Sequence, residues 1–495
     1  MSQKGKVYLV GAGPGDPGLL TLKAKALLAR ADVVLYDALA HPNLLSYCSD
    51  KCQLVLVGKR KGKHSEKQSS INEKMVSFAT KGKLVVRLKG GDPLIFGRGG
   101  EEMAYLTKHK IPFEVIPGIT SAIAVPSYVG IPLTHRNLSR SVAFVTGTLK
   151  TGDGIDDIHI PHAETLIFLM SVTHLEWIVE RLTTPQPNKS PRFDSDTPAA
   201  LIYKGTTSSQ QKVVGTLANI VALRDEHNVS HPSILVVGKV AELSHTLDWY
   251  SKLPLFGKRI INLRPLNQGQ ILSEKLMDLG AEVIEYPMIT IDPLINEQKI
   301  ISKAFLAPFT KIIFTSANGA EQFMMSLLNN GCDGRDLANK TILCVGPKTA
   351  SALKRFGIIA DNIANNYSQE GLLEMLPSNS KQDTILLPTA KKARPFLEEE
   401  LKKRGSNVDK LALYDTVATT TSKPITVCDN DIIVFTSSSI AEFFFESTLY
   451  KHQNINAICI GKETEKTVKR HLNTNIYTAQ SQTEDAIIQC IHALK

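Results

Sequence analysis

Short Val/Ile/Leu runs recur along this chain between longer stretches of helical period, and that rhythm constrains its fold more than any other feature. Val7 to Val10, Val33 to Tyr36, Leu54 to Val57 and Leu84 to Leu88 are apolar runs of strand length, while Thr21 to Ala31 repeats its apolar residues at helical spacing. A run without polar alternation suits a strand covered on both faces, so the alternation predicts α/β domains on mainly parallel sheets. The runs end in Gly, Asp or Lys. Chemistry-bearing residues therefore fall at the carboxyl ends of strands, where open α/β sheets bind ligands.

A chain of 495 residues exceeds one ordinary hydrophobic core, so several domains are expected. A boundary is expected near Leu253-Pro254-Leu255-Phe256-Gly257, after which KRIINLRP opens a new strand pattern. The Pro- and Ser-rich stretch Thr183 to Pro198 reads as a surface loop. Beyond the boundary the chain repeats itself. Ile312-Ile313-Phe314-Thr315-Ser316-Ala317 corresponds to Ile433-Val434-Phe435-Thr436-Ser437-Ser438, and Ile342-Leu343-Cys344-Val345-Gly346 to Ala457-Ile458-Cys459-Ile460-Gly461. Two copies in the same order predict two similar lobes. In each copy a strand ends in Thr-Ser, whose hydroxyls can cap the following helix, and a helix start favours an anion.

The net charge of +9 calls for an anionic partner. The basic residues lie in short separate clusters and no nucleic-acid motif is visible, so a small polyanion is expected and nucleic acid is not. Seven cysteines, odd in number and without metal or redox spacing, suit reduced thiols in the cytoplasm and no metal. The opening MSQKGKVYLVGAGPGD holds too brief an apolar run for a signal-peptide core, and no stretch approaches a membrane span, so no membrane partner is expected.

Gly11-Ala12-Gly13-Pro14-Gly15-Asp16-Pro17-Gly18 has the outline of a dinucleotide fingerprint between a strand and a helix. Its details differ. Asp16 stands where the third glycine would be, placing a carboxylate where a pyrophosphate needs bare N–H groups, and Pro14 removes one donor. A nicotinamide enzyme and a purely structural turn both stay open on these residues alone. A second cluster, Val86-Arg87-Leu88-Lys89-Gly90-Gly91-Asp92-Pro93, is again a strand ending in two glycines and an acid. Glycines admit a ligand close to the backbone, and Asp92 can accept from ribose hydroxyls or neutralise a cation. That set suits S-adenosylmethionine, which has a ribose, an ammonium and a sulfonium but no phosphate.

The ordered pieces VGAGPGDPGLLTLKA, VLYDALA, VGKRKGKHSEKQSSIN, VVRLKGGDPLIFGRGGEE, VIPGITSAIAVPSYVGIPLTHR, TLIFLMSV and PAALIYKGTTSSQQKVVGTL make residues 1–250 similar to the tetrapyrrole methylase family, and within it to uroporphyrinogen-III C-methyltransferases. The resemblance implies a two-lobed α/β methyltransferase, a homodimer, with S-adenosylmethionine in the cleft between lobes. Carried over by position, it implies cofactor contacts at Pro14, Gly90, Gly91, Asp92, Ile95, Thr120, Ser121, Met170 and Gly205, with Ser233 near the adenine. It puts a proton acceptor at Asp37 and a donor at Lys59. Ser121 stands where Ala is commoner and Lys67 where Pro is usual. The implied substrate, uroporphyrinogen III, is a polycarboxylate, which accounts for Lys59, Arg60, Lys61, Lys63 and His64 after one strand and for Arg98 and His135-Arg136 in other motifs.

Residues 256–495 resemble uroporphyrinogen-III synthases through INLRP, IIFTSANGAEQF, CVGPKTASAL, SQEGLLE, LALYDTV and VFTSSSIAEFF. The resemblance implies two α/β lobes joined by two crossover strands, one combining about 257–292 with 418–495 and the other spanning about 296–415. It implies closure of hydroxymethylbilane to uroporphyrinogen III. Thr315, Ser316, Thr436 and Ser437 would bind carboxylates, and Tyr414 would assist departure of the hydroxyl. Arg264, Lys348 and Lys391 to Arg394 are further candidate anion contacts. Rival readings are a methylase of a later corrin intermediate, a nicotinamide-dependent oxidoreductase and a non-catalytic polyanion-binding module.

Overall fold

The computed structural model describes residues 5–58, 67–148, 159–185, 192–294, 301–377, 382–419 and 425–494. The chain divides into two compact units, Met1–Tyr286 with Thr421–Lys495, and Pro287–Thr420. Among the described residues no helix is long and apolar enough to cross a membrane.

The first unit begins with a five-stranded parallel sheet in the order Gln53–Leu56, Val33–Tyr36, Val85–Lys89, Val7–Gly11, Phe113–Ile116. Its strands are the apolar runs seen in the sequence, and they are short of polar alternation because both faces are covered. Val10, Val34, Val86 and Leu88 pack on one face with Leu27 and Leu28 of the helix Leu22–Arg30. Val7, Leu9, Leu35 and Val85 pack on the other with Ile71 and Met75 of the helix Gln68–Thr80. Leu9 is 0% exposed, and burying a side chain of that size contributes about 1.5–3 kcal/mol.

A second sheet runs Val142–Thr146, Thr165–Leu169, Ser233–Val237, Pro198–Tyr203, Gln211–Thr216. Its first pair is parallel and the other pairs are antiparallel. The third sheet is parallel throughout, in the order Glu282–Glu285, Arg259–Asn262, Ile432–Phe435, Asn456–Cys459, Ile476–Thr478.

The second unit holds a six-stranded sheet in the order Ile289–Pro293, Asn407–Ala418, Thr384–Ala390, Lys311–Phe314, Thr341–Cys344, Asn362–Ile363. Ile289–Pro293 is antiparallel to Asn407–Ala418, and the rest pair in parallel. The internal repeat appears as the same local geometry in both copies. Ser316 and Ser437 cap helices Ala317–Asn329 and Ser438–Glu446 from φ/ψ of −159/154 and −162/159, and Gly346 and Gly461 precede helices Pro347–Lys354 and Lys462–Val468 at −174/174 and −176/175. The fold is thus the expected α/β arrangement, four sheets of which three are wholly or mainly parallel.

Candidate functional site

Three loops at the carboxyl ends of neighbouring strands meet in the first sheet. The two glycine clusters are stitched together directly, Gly13 N–H donating to Gly91 O at 3.2 Å and Gly91 N–H to Gly13 O at 2.7 Å. The third loop, after Phe113–Ile116, enters through Gly118, whose N–H donates to Asp92 Oδ2 at 3.0 Å, while Asp92 Oδ1 accepts Leu94 N–H at 2.8 Å. A Cβ on Gly118 would lie 2.4 Å from Gly91 O and 2.7 Å from Gly11 Cα, so only glycine fits there. Sequence reasoning missed Gly118. The signal was its place in the quoted motif VIPGITSA, but nothing local shows which loop it meets.

The cofactor candidates Pro14, Gly90, Gly91 and Asp92 therefore come together, and Thr120 and Ser121 join them. Thr120 is buried and its Oγ1 accepts Ala122 N–H at 3.3 Å to start the helix Ser121–Tyr128, and Ser121 N stands 3.6 Å from where a Cβ on Gly91 would be. Ile95 is on the exposed loop that continues from Asp92. Asp16 behaves as its chemistry demands. Oδ1 accepts Gly18 N–H at 2.7 Å and Oδ2 accepts the Tyr128 hydroxyl at 2.6 Å. The carboxylate is spent on shaping the loop, which leaves no bare pyrophosphate nest.

The remaining cofactor candidates belong to the second sheet. Met170 follows Thr165–Leu169 with φ 57°, exposed, and its Sδ accepts from Thr148 Oγ1 at 3.6 Å. Gly205 abuts Val125, where a Cβ would come within 2.4 Å. Ser233 is 7% exposed and its Oγ has no hydrogen-bond partner among the described residues. A buried hydroxyl without a partner costs free energy, and a polar ligand would satisfy it. A backbone-lined glycine cradle and an orphaned hydroxyl both fit an adenosyl group without phosphate.

Asp37 follows Val33–Tyr36 and rests on a buried charge cluster. Arg87 Nη2 donates to Asp37 Oδ1 at 2.8 Å, Arg87 Nε to Glu102 Oε1 at 3.2 Å, and Lys89 Nζ to the same oxygen at 2.9 Å. Glu102 is 0% exposed and Arg87 and Lys89 are 3% exposed. Burial, and then the Arg87 charge, hold the Lys89 ammonium below its ordinary range. Sequence reasoning gave Arg87, Lys89 and Glu102 no role, because each lies in a motif whose glycines drew the attention.

Lys59, Arg60 and His64 lie outside the described residues. Arg98 is exposed with φ 59° and is already engaged, Nε donating to Glu101 Oε1 at 2.9 Å and Nη2 to Glu101 Oε2 at 2.6 Å. His135 and Arg136 are exposed on a turn closed by His135 N–H to Ser139 O at 2.7 Å.

In the second unit, Ser316 Oγ accepts Gly319 N–H at 2.9 Å and lies 2.9 Å from the Tyr414 hydroxyl. Tyr414 is 5% exposed, and burial pushes its phenol above the ordinary tyrosine range. Thr315 lines a cavity of about 20 Å³ with Thr389, Arg394 and Lys410, of which Thr389 and Lys410 went unnoticed in the sequence. In the first unit, Ser437 Oγ accepts Ile440 N–H at 3.2 Å, and Thr436 is half-buried at the end of Ile432–Phe435.

Comparison with known proteins finds relatives for both parts of the chain. Residues 6–221 match the family model of tetrapyrrole (corrin/porphyrin) methylases, and residues 270–489 match that of uroporphyrinogen-III synthase. The porphyrin biosynthesis protein HemD of Ruminiclostridium josui is 36% identical over 98% of this chain and 97% of its own. A uroporphyrinogen-III C-methyltransferase of Methanocaldococcus jannaschii is 48% identical over 48% of this chain and 98% of its own. A siroheme synthase of Pseudomonas fluorescens is 49% identical over 50% of this chain and 53% of its own, so the chain spans about half of that relative. With a matching relative along almost its whole length and both family models in sequence, the chain belongs to the tetrapyrrole methylase family and carries a uroporphyrinogen-III synthase region on the same polypeptide.

Proposed function

We propose that this chain catalyses two successive steps of tetrapyrrole biosynthesis: ring closure of hydroxymethylbilane to uroporphyrinogen III, then two C-methylations to precorrin-2, a precursor for sirohaem or cobalamin. The observation that carries the methylase reading is the junction of Gly13, Gly91 and Gly118 around Asp92, a phosphate-free cradle at strand ends. Pro14, Gly90, Gly91, Asp92, Thr120, Ser121, Met170, Gly205 and Ser233 hold S-adenosylmethionine, with Ile95 at the rim. Bound there, it supplies an activated methyl group on a sulfonium. The chain then has to align a pyrrole carbon with that methyl and accept the proton the ring loses. Asp37 is that acceptor, oriented by Arg87. Lys59 donates a proton, and Arg60, His64, Arg98, His135 and Arg136 engage ring carboxylates.

In the synthase region the bilane must lose its hydroxyl as water to form an azafulvene, and its last pyrrole must be inverted before closure. Tyr414, kept as a neutral phenol by burial, donates a proton to the departing hydroxyl, oriented by Ser316. Thr315, Ser316, Thr436 and Ser437 bind carboxylates through hydroxyls and helix-start N–H groups. The methylase spans about 1–250 and the synthase about 256–495, and the protein works in the cytoplasm as a homodimer assembled through the methylase.

The test supplies purified protein with hydroxymethylbilane and S-adenosylmethionine and identifies products by mass. Dimethylated type III product is expected. Unmethylated type I product alone would count against both activities.

A further inference from the structure

We propose that Glu282, inside the synthase-matched stretch, is a positioning residue for the cofactor loop of the methylase region. This rests on the reading that the loops at Pro14 and Gly205 hold S-adenosylmethionine.

The loop after Pro198–Tyr203 is strained and needs support. Lys204 has φ 45° and Thr206 has φ 67°, a left-handed backbone that residues other than glycine adopt at a cost. Thr206, 3% exposed, donates its N–H to Gln210 Oε1 at 2.8 Å and accepts Asp16 N–H on Oγ1 at 3.3 Å. That contact ties the Gly205 loop to the glycine loop, so a shift of one moves the other. Two residues further on, Ser208 is held from outside the methylase match. Its N–H and its hydroxyl both donate to Glu282 Oε2, at 3.0 and 2.5 Å.

Glu282 can serve as an anchor because its strand is fixed against the methylase region. Glu282–Glu285 is the edge strand of its sheet, with one side unpaired by other strands. The Asn43 side chain takes the place of a neighbouring strand there. Its Nδ2 donates to Val283 O at 2.8 Å and its Oδ1 accepts Glu285 N–H at 2.9 Å, from a residue 4% exposed. An exposed edge is thereby covered and its register set.

The other carboxylate oxygen faces the loop that follows Asp37. Glu282 Oε1 is 3.8 Å from His41 Nε2 and 3.7 Å from Arg259 Nε. His41 Nδ1 accepts Asn43 N–H at 3.2 Å, so the neutral ring carries its proton on Nε2, toward Glu282. That Nε2 has no hydrogen-bond partner among the described residues, and a cavity of about 30 Å³ lined by His41, Glu282, Asp16 and Thr206 adjoins it. One carboxylate thus holds the Ser208 loop by two hydrogen bonds and lies beside His41 of a second loop.

The test uses the full chain and calorimetric binding of S-adenosylhomocysteine to wild type, Glu282→Gln, Ser208→Ala and the double variant. Glu282→Gln is expected to weaken binding about tenfold, near 1.4 kcal/mol, and Ser208→Ala about threefold. The double variant should be no weaker than Glu282→Gln, since both changes remove one contact. In turnover, KM for S-adenosylmethionine should rise more than kcat falls, whereas partial unfolding would lower kcat alone. If Glu282→Gln does not fold, Ser208→Ala still decides the matter through its affinity and KM. Wild-type binding with both single variants within experimental error of it, or additive losses in the double variant, would overturn the proposal. Absence of binding by wild type would instead overturn the cofactor reading beneath it.

Discussion

Arg87, 3% exposed, reaches from the middle of the first sheet to donate from Nη2 to Asp37 Oδ1 at 2.8 Å, while its Nε is committed to Glu102. A buried guanidinium shared by two carboxylates holds both of them in place through charge-assisted hydrogen bonds. Removing it as Arg87→Met leaves Glu102, fully buried, with one cation fewer. The expected loss is about 3–5 kcal/mol of folding stability, read from urea unfolding. A loss of under about 1 kcal/mol, the range of an exposed pair, would show that the cluster is not buried in solution.

Asp37→Asn keeps the shape and removes the carboxylate proposed as proton acceptor. Methyl transfer should fall about 10²-fold or more, with S-adenosylhomocysteine affinity nearly as in wild type, because the Asp37 carboxylate is held by Arg87 rather than by the glycine loops. Single-turnover methylation and calorimetry separate the two. A variant that methylates at the wild-type rate would remove Asp37 from the chemistry.

Gly118→Ala places a methyl 2.4 Å from the Gly91 carbonyl oxygen, which also accepts Gly13 N–H. Overpacking of this kind costs about 1–3 kcal/mol, and the displaced loop should weaken S-adenosylhomocysteine binding as well. Thermal unfolding with and without the ligand measures both. Wild-type stability together with wild-type affinity would contradict the close approach of the three loops.

Tyr414→Phe deletes the phenol that meets Ser316 and should slow enzymatic ring closure, so that more type I isomer accumulates by spontaneous closure. Its stability effect should stay near 1 kcal/mol, the net value of one hydrogen bond. The pH dependence follows from the upward shift. The fold favours the neutral phenol, so this stabilisation is complete below the unfolded tyrosine value of about 10 and is lost as pH rises through the higher folded value. Ring closure that declined in step with a phenol ionising in the neutral range would be incompatible with this environment.

Cys344 and Cys459 are 0% exposed, and burial pushes both thiols up to about 12, whereas Cys428 is exposed. Alkylation by iodoacetamide at mildly alkaline pH should label Cys428 and spare the other two until denaturant is added, since the thiolate is the nucleophile. Peptide mass mapping reads this directly. Early labelling of Cys344 or Cys459 would place those strands at the surface.

Much of the fold is legible in the sequence itself. Val7 to Val10 and Thr21 to Ala31 announce a strand and a helix because periodicity and burial act within a few residues. Thr315-Ser316 and Thr436-Ser437 announced twin helix starts, and both serines cap as their chemistry requires. Asp16 signalled that the glycine loop was no pyrophosphate nest, and its carboxylate is indeed taken up, by Gly18 and Tyr128.

Only the folded chain decided which distant residues share a point in space. Gly13 meets Gly91 and Gly118 meets Asp92 because three separate strands lie side by side in one sheet. Arg87 serves Asp37 rather than solvent because adjacent parallel strands bring the two together from 50 residues apart. Asn43 covers the edge at Val283 from 240 residues away. Local propensity sets what each segment becomes, but the register between segments depends on burial summed over the whole unit, and that sum is not written in any one stretch of sequence.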